Sequence, residues 1–177
     1  MLLNNRFQFT IIIVSVFLAS CSANNATVNT MTSPIDGKTR TTIKAPDFSN
    51  SIIYPVEGSS AYGMHIDGGS VIDKKTASII FKTMSNSGFR TAYFKADGDR
   101  IDLHDTNVLT NFSSDKYGVY ASKEFFISCE KITTVVQSTD VYLRVTFSDG
   151  FVDYDVSKII SGADGFGMIK KIAHYCS

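Results

Sequence analysis

The chain has 177 residues, with 17 basic and 17 acidic side chains, three cysteines and no tryptophan. A nucleic-acid-binding surface needs an excess of basic residues, so this balance excludes a nucleic-acid partner. The length is sufficient for one domain with a substantial hydrophobic core.

The first twenty residues have the order of parts that is typical of a signal peptide. Arg6 supplies a positive charge, residues 7–18 form an apolar run, and small residues follow up to Cys21. A helix over that run spans roughly 18 Å, which is less than the roughly 30 Å of a bilayer core. We therefore expect residues 1–20 to be cleaved, and not to remain as a membrane span.

The residues Leu18-Ala19-Ser20-Cys21 resemble the lipobox of bacterial lipoproteins, in which the cysteine is acylated and becomes the first mature residue. The resemblance covers residues 1–22 and implies that Cys21 carries the lipid that anchors the chain to the cell envelope. Ser22 follows, and in enterobacterial lipoproteins this implies the outer membrane, with the domain facing the periplasm or the cell surface. The alternative is an ordinary secretory signal in which Cys21 is incidental.

Residues 21–46 are dominated by Ser, Thr, Asn and Ala and contain no aromatic side chain. Such a segment buries too little apolar surface to offset the entropy lost on ordering. We expect a lipidated flexible tether there, and a single globular envelope domain over residues 47–177.

Alternation of apolar and polar residues, the pattern of half-buried strands, dominates the chain from residue 51 onward. The Asp-Gly pairs at 97–98 and 149–150 predict two tight hairpins. In the first, we expect Phe94 opposite Ile101. In the second, we expect Val145 opposite Tyr154 and Arg144 opposite Asp155. Further strands are predicted at 52–56, 62–66, 77–84, 108–112 and 117–128.

Two segments have helical spacing instead. Residues 130–138 have the spacing of a short helix, although their Thr and Val residues favour a strand, and both alternatives stay open. Phe166, Ile169 and Ile172 fall on one face of a C-terminal helix that begins near residue 164 or 166. The predicted fold class is therefore α+β. It combines an antiparallel sheet of at least six strands, open or curled toward a barrel, with a C-terminal helix packed on one face.

Two cysteines remain once Cys21 is assigned to the lipid. In an oxidising compartment, we expect Cys129 and Cys176 to form a disulfide. The alternative is two separately buried thiols.

The sequence matches no nucleophile-elbow, paired-histidine zinc, phosphate-loop or dinucleotide-binding motif, so we predict no catalytic residue and no cofactor. His65 with Asp67, and Asp102 with His104, are each two residues apart on a predicted strand, and each pair therefore shares a face. Brought together, the four side chains would hold a divalent metal, or form a base with its orienting carboxylate. The alternative is a solvent-exposed strand face, which the register about 97–98 favours for Asp102 and His104.

Ser161-Gly162-Ala163, followed by Phe166, resembles the Ser-Gly-x-x-aromatic signature of small envelope lysozyme-inhibitor lipoproteins. That family also combines an antiparallel barrel with a disulfide. A strand follows its motif, whereas a predicted helix follows here, so no site residue is carried over.

We therefore expect a lipid-anchored, non-enzymatic module that binds another envelope component or supports an assembly. Two alternatives stay open. One is an inhibitor or immunity-type lipoprotein resembling the lysozyme inhibitors, and the other is a hydrolytic or metal-dependent envelope enzyme. Convergence of His65, Asp67, Asp102 and His104 in one pocket would favour the enzyme.

Replacing Cys21 with serine is expected to abolish lipid attachment, because the lipid is attached through the thiol. Incorporation of labelled palmitate measures this, and a Cys176→Ser control should retain the label. Continued labelling of the Cys21→Ser variant would show that the lipobox interpretation is wrong.

Overall fold

The computed structural model describes residues 26–45, 51–105, 109–158 and 164–177. These ranges contain two helices, α1 (Cys129–Gln137) and α2 (Gly165–His174). They also contain eleven strands, which are β1 (Thr27–Thr32), β2 (Thr39–Lys44), β3 (Ile52–Pro55), β4 (Met64–Ile72), β5 (Thr76–Met84), β6 (Phe89–Ala96), β7 (Asp99–Asp102), β8 (Asn111–Asp115), β9 (Gly118–Ser128), β10 (Val141–Phe147) and β11 (Gly150–Asp155).

The strands form one antiparallel sheet in the order β7-β6-β10-β11-β3-β4-β5-β9-β8, and the β1–β2 hairpin joins it through β2 and β4. An isolated bridge between His104 and Phe126 links the segment after β7 to β9. The two ends of the sheet therefore approach each other, but the sheet is not closed into a barrel. The predicted α+β fold, with an antiparallel sheet and a C-terminal helix, is confirmed.

Both predicted helices are present and pack on the sheet. α2 contacts β4 and β5, and its side chains Phe166, Met168, Ile169 and Ile172 are buried. Its N-cap is Asp164, whose carboxylate accepts a hydrogen bond from the backbone N–H of Gly167. α1 contacts α2 and β9. The two helices thus cover the apolar face that the alternating strands present.

The hairpin predicted about residues 97–98 is confirmed. Phe94 pairs with Ile101, and the turn residues Asp97 and Gly98 have φ values of +47° and +97°. Positive φ at both central residues is the requirement of a type I′ turn, which Asp-Gly meets at low cost.

The hairpin predicted about residues 149–150 exists, but its register was wrong by two residues. Phe147 pairs with Gly150, so the turn residues are 148 and 149. Arg144 consequently lies opposite Asp153 and not Asp155, and Val145 lies opposite Val152 and not Tyr154. A slip of two residues keeps every side chain on its predicted face, so the buried pattern is unchanged.

The prediction of a flexible tether is wrong for residues 27–44, which form the β1–β2 hairpin. β2 pairs with β4 from Arg40 opposite Ile72 to Lys44 opposite Gly68, and Ile43 is only 1 % exposed. Backbone pairing to a sheet edge is available to polar segments too, so composition did not reveal it. Close approach at this point requires glycine, since a Cβ on Gly68 would lie 2.3 Å from the carbonyl oxygen of Ile43.

Three other predicted strands, 52–56, 77–84 and 117–128, agree with β3, β5 and β9 to within two residues. β4 runs past its predicted end at residue 66, because Asp67 forms a bulge and pairing to β5 resumes at Gly68. Of the strand predicted at 108–112, residue 108 lies outside the described residues, and β8 begins at Asn111.

The predicted disulfide between Cys129 and Cys176 is present, with the two Cα atoms 5.3 Å apart. Cys129 is the first residue of α1, and Cys176 lies two residues beyond the end of α2. The bond therefore fastens the chain after the last helix to the junction between β9 and α1.

Reducing this disulfide is expected to lower the free energy of unfolding by about 2–4 kcal/mol, because the unfolded chain regains the entropy of a long loop. Urea unfolding with and without reductant measures the difference. The Cys129→Ser/Cys176→Ser double variant is the control and should not respond to reductant. Two titratable thiols at these positions in the denatured, unreduced protein would contradict the bond.

Candidate functional site

One end of the sheet encloses a cleft of about 480 Å³, which we call the end cleft. It lies where β5 ends, β9 begins and β10 turns into β11, and the segment before β4 forms one wall. Its size and its mixture of apolar and polar groups are typical of ligand sites at the mouths of curled sheets. The lining residues are Ser60, Ala61, Tyr62, Thr83, Met84, Ser85, Asn86, Gly118, Val119, Phe147, Asp149, Val152 and Tyr154.

Buried residues form the floor of the end cleft. Tyr154 is 1 % exposed, and this burial raises the pKa of its phenol. The side chain of Thr83 acts on that pKa in the opposite direction, and its hydroxyl donates a hydrogen bond to the carbonyl oxygen of Gly63 at 3.1 Å. The floor is therefore neutral, and its Thr83 hydroxyl is held in place by the segment just before β4.

The rim of the end cleft is more accessible and nearly uncharged. Tyr62 is 61 % exposed and Val119 is 37 % exposed. Among the residues that line the end cleft, Asp149 is the only one with a charged side chain. The site therefore favours an uncharged or cationic ligand over an anionic one.

A second depression lies beside the end cleft, beyond the contact between Phe89 and Phe147, whose ring centroids are 4.9 Å apart. Its wall includes Lys123, a charged side chain that is only 6 % exposed. The Lys123 ammonium lies 2.5 Å from a carboxylate oxygen of Asp105 and 3.4 Å from the carbonyl oxygen of Phe89. These contacts join β6 and the segment after β7 to β9. The ion pair therefore helps to hold the two ends of the curled sheet together.

His65 and Asp67 do lie together, but not in the end cleft. His65 is 2 % exposed, with Nε2 3.3 Å from Asp67 Oδ1 and Nδ1 3.1 Å from Ser51 Oγ. Sequence reasoning missed Ser51, which is distant in the chain and has no local motif. The Ser–His–Asp line has the residue types of a catalytic triad, but Ser51 is fully buried, so this arrangement does not present its hydroxyl to a substrate.

Asp102 and His104 are not brought to the other two candidates. Asp102 binds Arg100, with 2.6 Å between carboxylate and guanidinium, and the backbone of His104 pairs with Phe126. In residues 26–45, 51–105, 109–158 and 164–177, no three His, Cys, Asp or Glu side chains are grouped so as to hold a metal ion. The weak metal candidates of the sequence therefore do not form one site.

The outer face of β6, β7, β10 and β11 carries a stack of cations and aromatic rings. The Arg100 guanidinium lies 4.0 Å from the centre of the Tyr93 ring, and that of Arg144 lies 4.2 Å from the centre of the Phe151 ring. Arg144 also donates two hydrogen bonds of 2.6 Å to Asp153. The cations of this exposed face are thus paired with carboxylates and aromatic rings of the same face. Asp102 lies on the solvent-exposed strand face that was the alternative to a metal site.

Comparison of the chain with protein-family models, with curated proteins and with solved structures gives no match. Neither α1 nor α2, the helices of the described ranges, is long and apolar enough to cross a membrane. Residues 1–25, with Cys21, and residues 161–163 of the lysozyme-inhibitor resemblance lie outside the described residues.

The hydrogen bond to His65 holds the pKa of Asp67 below its usual value, against the opposing effect of burial, and Lys82 and Lys44 act in the same direction as His65. A carboxyl with a lowered pKa in the folded state stabilises the fold above its unfolded pKa, and this contribution is lost as the pH falls through the folded pKa. A carbon-13 NMR titration should place the Asp67 midpoint below about 3.9.

A His65→Phe substitution should move that midpoint upward, because it removes the hydrogen bond that lowers the pKa of Asp67. The stability difference between the unsubstituted chain and Asp67→Asn should also shrink on acidification below about pH 4. An unchanged midpoint in His65→Phe would show that the histidine is not the cause.

Proposed function

We propose that this chain is a lipid-anchored, non-enzymatic module of the bacterial cell envelope, and that it binds another envelope component in the end cleft. The end cleft is the observation on which the binding role rests. The lipobox-like residues 18–21 support the anchor. The Cys129–Cys176 disulfide is in keeping with an oxidising compartment.

The chemistry of the lining favours recognition over catalysis. The end cleft offers hydroxyls, one amide and one carboxylate, and its lining set includes no imidazole, thiol or amine. Acid–base and nucleophilic catalysis use a base within about 3 Å of the group that it activates. The hydroxyl of Thr83 is engaged in a hydrogen bond instead, which suits a surface that positions a ligand.

One observation favours the inhibitor-type alternative as a second candidate. Around the same end of the sheet, Leu109, Phe112 and Tyr117 are 85 %, 53 % and 67 % exposed. Phe112 and Leu109 line the depression beside the end cleft, and Tyr117 precedes the cleft residue Gly118. Exposed aromatic side chains are enriched at protein–protein interfaces, so this end also suits contact with a protein such as an incoming lytic enzyme.

Photocrosslinking in intact cells tests the binding role. A benzoylphenylalanine placed at Tyr62, on the cleft rim, is expected to give a discrete crosslinked product. The matched control is the same residue at Phe151, which is 60 % exposed, close to the 61 % of Tyr62, but lies on the cation–aromatic face.

The identity of the product separates the candidates. A lytic enzyme or toxin crosslinked at Tyr62 would replace the general module by the inhibitor. Products at Phe151 with none at Tyr62 would show that the end cleft is not the binding site.

A further inference from the structure

The connection between the proposed anchor and the first strand is short. Only residues 22–26 separate Cys21 from Thr27, where β1 begins. Fully extended, this connection spans about 20 Å. If Cys21 is acylated, as the proposed function holds, the β1–β2 hairpin is therefore confined to the immediate neighbourhood of the bilayer.

One face of this hairpin has a composition that suits a membrane surface. Met31 pairs with Arg40, and Thr27 pairs with Lys44, so these side chains share a face of the two-stranded ribbon. Met31 is 65 % exposed, and Arg40 and Lys44 are exposed as well. At the turn, Ile35 is 95 % exposed, the largest value among the apolar side chains of the described residues.

Positive charge surrounds this apolar turn. Residues 27–45 and the adjoining turn 73–75 carry five basic side chains, all exposed, against the two carboxylates Asp36 and Asp73. Asp36 accepts a hydrogen bond from the backbone N–H of Lys38, whose ammonium lies 3.9 Å from the other carboxylate oxygen, and Asp73 accepts one from the backbone N–H of Thr39. Lys74 donates a hydrogen bond of 2.6 Å to the backbone oxygen of Ser177, which leaves Arg40, Lys44 and Lys75 as the cations that carry the surface charge here. The five basic residues are Lys38, Arg40, Lys44, Lys74 and Lys75.

We infer that the β1–β2 hairpin is a second membrane contact, which lies on anionic phospholipid headgroups with Ile35 inserted at the interface. An apolar side chain flanked by basic residues gains from both the acyl boundary and the negative surface potential. Each contribution is small, but the anchor holds the hairpin at a high effective concentration beside the lipid. The hairpin thereby fixes the orientation of a domain that the lipid alone would leave free to rotate.

Because the chain has no tryptophan, an Ile35→Trp substitution creates a single tryptophan and keeps an apolar residue at the turn. The full acylated chain is placed on vesicles of phosphatidylethanolamine and phosphatidylglycerol with brominated acyl chains. We expect blue-shifted, quenched fluorescence. A Tyr62→Trp variant, at the opposite end of the domain, is the control and should remain unquenched.

Charge variants test the headgroup contact. In the Ile35→Trp background, Lys38→Gln/Arg40→Gln/Lys44→Gln should reduce the quenching about twofold or more. The matched triple variant Arg90→Gln/Lys95→Gln/Lys116→Gln removes three exposed cations elsewhere and should leave it unchanged.

Flotation separates the two proposals. A chain that fails to float with the vesicles contradicts the lipid anchor. A chain that floats but shows no quenching at position 35 overturns the hairpin contact alone. A blue shift without quenching, which grows with the protein-to-lipid ratio, would mean that a second copy covers the hairpin, and this too would overturn it.

Discussion

Each edge of a β-strand presents one row of backbone hydrogen-bond donors and acceptors. In this fold, β2 and β3 share one edge of β4, and the rest of the sheet depends on how that edge is divided between them. Residues 64 and 65 pair with β3, residues 68–72 pair with β2, and Asp67 is the bulge between them. The division attaches the N-terminal hairpin to the sheet and still leaves β3 to continue toward β7. The bulge also shifts the pairing with β5 by one residue, so that both halves of β4 turn their apolar side chains to the core.

The Ser51–His65–Asp67 line sits at this division, which explains why residue types known from catalysis are buried here. The carbonyl of Ser51 accepts from Ile66, and that of Asp67 accepts from Ala45, so the three residues connect β4 to the chain on either side of it. His65 fills the junction, with one ring nitrogen near Ser51 and the other near Asp67. Within the described ranges, no buried side-chain nitrogen or oxygen lacks a hydrogen-bond partner. The line therefore serves the architecture, because buried polar groups must be paired.

Helix spacing, the Asp-Gly turn at 97–98 and the cysteine count were sufficient to predict both helices, one hairpin register and the disulfide. The register about 149–150 was not predictable, since two-residue turns at 148–149 and 149–150 place the same side chains on the same faces. Composition did not predict the β1–β2 hairpin, because the segment contributes few apolar side chains to the core, Ile43 and Val28 among them, and is otherwise held by backbone pairing that requires Gly68. The end cleft was not predicted, because its residues come from segments far apart in the chain and form no local motif. The role of Cys21 stays a prediction.

The length of β5 separates the hairpin end of the domain from the end cleft. Its nine residues span about 30 Å, from Thr76 beside the hairpin end to Met84 in the end cleft. If the turn of the hairpin touches the bilayer, as inferred above, the length of β4 and β5 limits how far from the membrane the end cleft can lie. Adding two residues to each strand would lengthen the distance between the hairpin turn and the end cleft by about 7 Å without turning any side chain to the wrong face. Strand length thus sets the separation between the proposed membrane contact and the end cleft, independently of the side chains that line the end cleft.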